Sequence, residues 1–370
     1  MFDLPDLYVA LRRSFKWKDA GLFLVNILLY CITRLINLDK FPIFSDEGIY
    51  IHWAKVAWHD ATWRFISLTD GKQPLQTWGT IPFLKIFSNN LLLGGRMFAV
   101  ATGLFALVGV FALLYYLFGK RTAFIGMLLY IFTPYFLFYD RMALVDSGVN
   151  GFFIWILLLS IVLANTRRLD VSLIFGFVSG FGLLAKSSVQ IFVTLSGLAP
   201  ILFIEKNMKK FGRHLVNYLT LYVIGVVLAV LIYNVQRLSP FLHFVGEKNH
   251  TFVMTFSDFL HDPFKVFFRN ITLVPQYALW ESGFVLGLIA LLGLIRLYKK
   301  NIRLSVYLTL WIVLPYILIC FFSIVLFPRY IIFFGSLFMI LSAYWLGQVK
   351  NKAYLLIAVA LYALSVGYFD

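Results

Sequence analysis

Residues 97–118 contain no charged side chain, and apolar runs of comparable length recur along the chain to residue 368. A helix needs about 20 apolar residues to cross the hydrocarbon core of a bilayer. Barrel strands would be about 10 residues long and alternate in polarity, and no such alternation is present. Charged residues make up 13% of the chain, against about 25% in soluble domains. The sequence therefore predicts an all-α polytopic membrane protein. Eleven spans are expected, at about 20–36, 92–118, 122–139, 147–164, 171–185, 188–204, 215–235, 278–296, 304–326, 330–347 and 353–368. Residues 1–370 read as a single transmembrane domain without an internal repeat, and no soluble carboxy-terminal domain is expected. Arg12, Arg13, Lys16 and Lys18 precede a full-length span with no small-residue cleavage site, so no cleavable leader is expected. Cys31 and Cys320 both lie in apolar runs, which argues against a disulfide between them.

Basic residues set the orientation. With the amino terminus inside, the inner segments hold 18 of the 32 lysines and arginines but only 5 of the 17 acids. The net charge of +15 is thus a topology signal, and nucleic acid is not an expected partner. Five of the six histidines fall outside, in two long outer loops at about 37–91 and 236–277. Any chemistry is expected on the extracytoplasmic face of a plasma membrane. Nucleotide-sugar and ATP chemistry are disfavoured there, because those donors are cytosolic, and no Walker or Gly-x-Gly-x-x-Gly motif is present. Each long loop carries amphipathic segments that read as interfacial helices. One runs from Asp46 to about His59 with Ser45 as its cap; another is rich in phenylalanine over 256–268. Residues 1–19 read as a third such helix, on Leu7, Leu11 and Phe15.

Carboxylates near a bilayer are costly unless something uses or pairs them. Asp46 and Glu47 open the first outer loop, and a general base for an acceptor hydroxyl is the chemistry such a pair supplies. Capping the helix dipole is the alternative. In the same loop Pro74 follows a turn at Asp70-Gly71 and holds Lys72 near the membrane surface, where lipid phosphates lie. Lys186 interrupts an apolar run and needs an anion, either a carboxylate or a phosphate. Arg329, beside Pro328 and Tyr330, and Arg96, at the outer start of the second span, are further candidate phosphate cations. Asp140, Arg141 and Asp146 share a short outer turn. They either pair with one another, contact a sugar or brace Asp46.

These residues resemble the GT-C class of polyprenyl-phosphate-dependent glycosyltransferases, with protein O-mannosyltransferases and lipid A aminoarabinosyltransferases as kin. The resemblance rests on Asp46-Glu47-x-x-Tyr50, on Lys72-Gln73-Pro74-Leu75-x-x-Trp78, on Gly95-Arg96-Met97, on Arg141 to Asp146, on Gly182 to Lys186 and on Arg329-Tyr330. It implies inverting transfer of a mannose-like hexose or aminoarabinose-like pentose from a polyprenyl phosphate to an acceptor protein, glycan or lipid. Asp46 is then the base, with Glu47 beside it, and Lys72, Lys186, Arg329 and Arg96 hold the donor phosphate. Tyr50, His52, Gln73, Asp140, Arg141, Asp146 and Tyr330 remain for sugar or acceptor contact or for bracing. Two departures stand out: Gln73 replaces a proline of the motif, and the family's large extracytoplasmic carboxy-terminal domain has no counterpart. No cofactor is predicted from these residues. A divalent ion among Asp46, Glu47, Asp140 and Asp146 is the open alternative, since oligosaccharyltransferases of the class use one. A lipid-linked sugar flippase and a non-catalytic assembly subunit are the competing functions.

Overall fold

A computed structural model describes residues 16–204 and 207–367. Regular structure among them is helical, apart from one isolated bridge between Val253 and Ser323. The helices are α1 (Trp17–Leu35), α2 (Ser45–His59), α3 (Leu75–Ile86), α4 (Leu91–Phe118), α5 (Lys120–Phe132), α6 (Pro134–Tyr139), α7 (Asp146–Thr166), α8 (Leu169–Ala185), α9 (Val189–Ser196) and α10 (Met208–Tyr233). After two short 3-10 turns come α11 (His243–Phe252), α12 (Phe256–His261), α13 (Phe267–Ser282), α14 (Phe284–Lys300), α15 (Ile302–Phe322), α16 (Ile332–Gln348) and α17 (Lys352–Gly367). The helix expected over residues 1–19 lies outside the described residues except at its last positions.

The protein is a multi-pass membrane protein, though among the described residues not every expected span is one straight helix. Among the described residues five are long and apolar enough to cross a bilayer singly: α4, α7, α15, α10 with the 3-10 turn after it, and α16 with the 3-10 turn before it. The pair α13–α14 makes a sixth, bent by 104°. Gly283 allows that bend, with φ +80°, a region closed to most side chains. The span expected at 278–296 therefore begins inside α13 and turns a corner. The span expected at 122–139 likewise breaks at Thr133. Pro134 cannot continue a helix's hydrogen bonding but fits the first position of a new one, so α6 starts there. The span expected at 188–204 is α9 followed by a 3-10 turn over 199–203.

Helix α7 is the most enclosed of the crossings and α10 the most exposed. Phe153 of α7 packs its ring against Phe192, Trp311 and Phe333, at centroid distances of 5.0–5.6 Å. A second, smaller cluster lies under the first loop: Ile51, Ala54 and Ala57 of α2 meet Ile81 and Leu84 of α3 and Ala143. Each fully buried aliphatic side chain there stabilises by roughly 1.5–3 kcal/mol. Gly95 lets α2 approach α4, because a Cβ on it would stand 2.6 Å from Cγ1 of Ile51. The capping of α2 differs from expectation. Its cap residue is Phe44, whose N–H donates to Oε2 of Glu47 at 3.0 Å, and the Ser45 hydroxyl is not used. In the second loop Thr255 and Asp258 cap α12 reciprocally. Phe256, Leu260, Phe264 and Phe268 are exposed, as an interfacial segment requires.

Candidate active site

Asp46 and Tyr50 are four residues apart on α2, hence on one face. Asp46 Oδ2 accepts from Nη2 of Arg329 at 2.7 Å. Arg329 sits in a 3-10 turn that precedes α16, where the Tyr135 hydroxyl donates to the Pro328 carbonyl. Its Nε lies 3.9 Å from Oδ2 of Asp146, in the first turn of α7. The other Asp146 oxygen accepts from Lys186 Nζ at 2.7 Å. Lys186 has extended backbone and ends α8. Its ammonium stands over the Tyr330 ring at 4.1 Å. Lys72 Nζ lies over Tyr50 at 5.1 Å and Trp53 at 5.5 Å, close enough to Lys186 for the two charges to repel. Gln73 Nε2 donates to the Ser187 hydroxyl at 2.5 Å, tying the two lysine-bearing turns together. The chain Asp46–Arg329–Asp146–Lys186, with Lys72, Tyr50, Gln73 and Tyr330 around it, brings eight of the candidate residues into one cluster.

Two electrostatic consequences follow from burial. The Tyr50 phenol is pushed far above its ordinary range, by burial first and then by the Asp146 and Asp46 carboxylates. It stays protonated and can only donate or accept a hydrogen bond, not act as a base. The Lys186 ammonium is pushed below the usual lysine range by burial, with Asp146 opposing the shift.

The remaining candidates stand elsewhere. Glu47 and Arg96 are both 0% exposed and pair with each other. Glu47 Oε1 accepts from Arg96 Nε at 2.9 Å and from the Ala143 N–H at 2.8 Å. Its Oε2 accepts from Arg96 Nη2 at 2.8 Å as well as from Phe44. Arg96 gives its other donors to the carbonyls of Leu38, Phe41 and Pro42. This corrects the expectation of a second catalytic carboxylate and a fourth phosphate cation: both groups are fully engaged in holding the 38–47 segment on α4. Asp140 is also buried, receiving Arg34, Tyr30, Tyr130 and Ser147, so it braces helices and does not meet Asp46. Arg141 donates to the Ile36 carbonyl at 2.6 Å and covers the Phe41 ring. His52 is exposed and lies off the Asp46–Tyr50 face. His52→Ala is expected to leave turnover within about twofold of wild type, as surface changes usually do; a larger loss in a steady-state assay would return His52 to the site.

The four carboxylates named as possible metal ligands do not fit a divalent ion. Each faces a cation of its own, and among the described residues no three His, Cys, Asp or Glu side chains converge. Arg34 and Lys248 were missed by sequence reasoning. A lone arginine in the first apolar run, opposite an acid in need of a partner, was a usable signal for Arg34. Lys248 had none, because its partner Asp70 is 178 positions away.

This helical arrangement is similar in fold to proteins of known structure. A family model described as dolichyl-phosphate-mannose-protein mannosyltransferase matches residues 72–233, a stretch that includes Lys72, Asp146 and Lys186 but not Asp46 or Arg329. Solved structures of similar fold include ArnT from Cupriavidus metallidurans in the apo state, at 16% identity and TM-score 0.65, covering 93% of this chain and 63% of that one. The same protein bound to undecaprenyl phosphate aligns at 18% identity and TM-score 0.63, covering 93% and 64%. The archaeal oligosaccharyltransferase AglB from Archaeoglobus fulgidus, in complex with an inhibitory peptide and a dolichol-phosphate, aligns at 15% identity and TM-score 0.63, covering 95% and 56%. The chain thus spans about three fifths of the length of these proteins. No curated protein matches it in sequence.

Proposed function

We propose that the protein is an inverting glycosyltransferase of the extracytoplasmic membrane face, moving a hexose or pentose from a polyprenyl phosphate to an acceptor hydroxyl. The ion-pair chain Asp46–Arg329–Asp146–Lys186 carries this reading. It sets one available base beside cations suited to a leaving phosphate. Asp46 is 25% exposed, and its Oδ1 accepts no hydrogen bond from the described residues. That oxygen takes the acceptor's proton as the acceptor oxygen bonds to the anomeric carbon. The bond from that carbon to the phosphate oxygen breaks, and its electron pair stays on the phosphate. Arg329, Lys186 and Lys72 stabilise the charge gathering there, the kind of preorganised stabilisation that lowers such barriers most. The phosphodiester competes with the two aspartates for these cations as it binds. The ArnT and AglB structures named above contain undecaprenyl phosphate and dolichol-phosphate respectively, and the likeness of fold supports a lipid phosphate here.

The direct test is purified protein given polyprenyl-phosphate hexoses and pentoses with protein, glycan and lipid acceptors, read by mass spectrometry. Release of polyprenyl phosphate coupled to a glycosylated product is expected. Tight donor binding with no product from any pairing would favour the flippase or subunit reading instead. Lys186→Met is expected to raise donor KM roughly 10- to 100-fold, the worth of a charged hydrogen bond. Only the ammonium form attracts phosphate, so donor affinity falls as pH rises through the Lys186 pKa. Because that pKa is lowered, the fall begins below the ordinary lysine value of about 10.4. Lys186→Arg should move it upward; an unchanged pH profile in that variant would remove Lys186 from donor binding.

A further inference from the structure

The second outer loop touches every turn that carries a donor cation, and one of its elements, α11, reaches all three. Lys248 of α11 donates to Oδ1 of Asp70 at 2.6 Å, while Lys72 is 3.5 Å from the other oxygen of the same carboxylate. Gly71, with φ +65°, lies so close under α11 that a Cβ would stand 2.4 Å from Cβ of Lys248. Asn249 Nδ2 donates to the Ser187 hydroxyl at 3.3 Å, the same hydroxyl that receives Gln73. At the end of α11 the Phe252 ring meets Tyr330 edge-on at 6.2 Å, and the Phe252 carbonyl accepts from the Ile324 N–H at 2.9 Å. In the 3-10 turn that precedes α11, Phe241 stacks on Trp63 at 6.1 Å.

We infer that α11 sets the relative positions of Lys72, Lys186 and Arg329, and that Lys248 is a positioning residue which draws the shared Asp70 carboxylate toward itself and so limits how far it neutralises Lys72. The inference rests on the reading of Lys72 as a donor-phosphate cation. Asp70 has one carboxylate for two lysines. Its closer contact is with Lys248, at 2.6 Å against 3.5 Å for Lys72, so Lys72, over the Tyr50 and Trp53 rings, keeps part of its charge for the ligand. Released from Lys248, it closes on Lys72 and competes with phosphate for it.

The experiment measures kcat and donor KM for Lys248→Met, Asp70→Asn, the double variant and Lys72→Ala, with a polyprenyl-phosphate sugar as the varied substrate. Lys248→Met is expected to raise donor KM about fivefold, the size of a partly exposed ion pair, with kcat held within about twofold. Adding Asp70→Asn removes the competing anion and should return donor KM to within about twofold of wild type. Two results overturn the inference while leaving the phosphate reading intact, provided Lys72→Ala weakens donor binding. One is an unchanged donor KM in Lys248→Met; the other is a raised KM that Asp70→Asn does not relieve. An unchanged donor KM in Lys72→Ala overturns the reading of Lys72 itself, and the inference with it.

Discussion

Asp46→Asn is expected to lower turnover by about 10²–10⁴-fold, the usual worth of a general base, with donor KM unchanged or lowered, since one anion competing for Arg329 is gone. The amide is isosteric and still accepts a hydrogen bond from Arg329, which also has Asp146 within 3.9 Å. The cationic groups therefore keep their places. What is lost is a basic oxygen at the Oδ1 position. Initial rates of polyprenyl phosphate release, measured beside donor binding, separate the two effects. A loss smaller than about tenfold would mean that the acceptor's proton leaves by another route, and Asp46 would then be only an anchor for Arg329.

The neighbouring residue should behave in the opposite way. Glu47→Gln leaves Arg96 as a buried cation without its counter-charge, and unpairing a buried ion pair costs about 3–5 kcal/mol. That is a large part of the 5–15 kcal/mol by which folded proteins are typically stable. The expected result is a sharply lower thermal unfolding midpoint in detergent and a poor yield of folded protein, whereas Asp46→Asn unfolds like wild type. Glu47→Leu combined with Arg96→Met should recover part of the loss, since apolar groups of similar volume tolerate burial. A Glu47→Gln protein that melts within about 1 °C of wild type, well under the shift such a loss implies, would show that the pair is not structural.

This contrast marks the limit of what the sequence could say. The motif around Asp46 was legible because it is local: a helix start, two acids and an aromatic one turn on. Which acid faces the cluster was not, because adjacent residues point about 100° apart on a helix, and a one-residue difference decides between a carboxylate in the cluster and a buried brace. Lys186 and Asp146 were each recognisable as costly charges in need of partners, yet their pairing spans 40 positions and that of Arg329 with Asp46 spans 283. Hydropathy likewise found nearly every apolar helix but read straight through Thr133 and Gly283. Composition averages over a window and cannot register a single backbone angle.

The three cations and two aspartates of the cluster have a consequence for how product leaves. Their formal sum is one positive charge, which a phosphodiester donor cancels. In the proposed transfer the phosphate gains a second negative charge, its last ionisation lying near pH 6, and Asp46 gains a proton at the same moment, so the total is still zero. When Asp46 then yields that proton to water, the occupied cluster becomes an anion. On the proposed mechanism electrostatic repulsion then works against the spent carrier, which couples resetting of the base to release of the lipid.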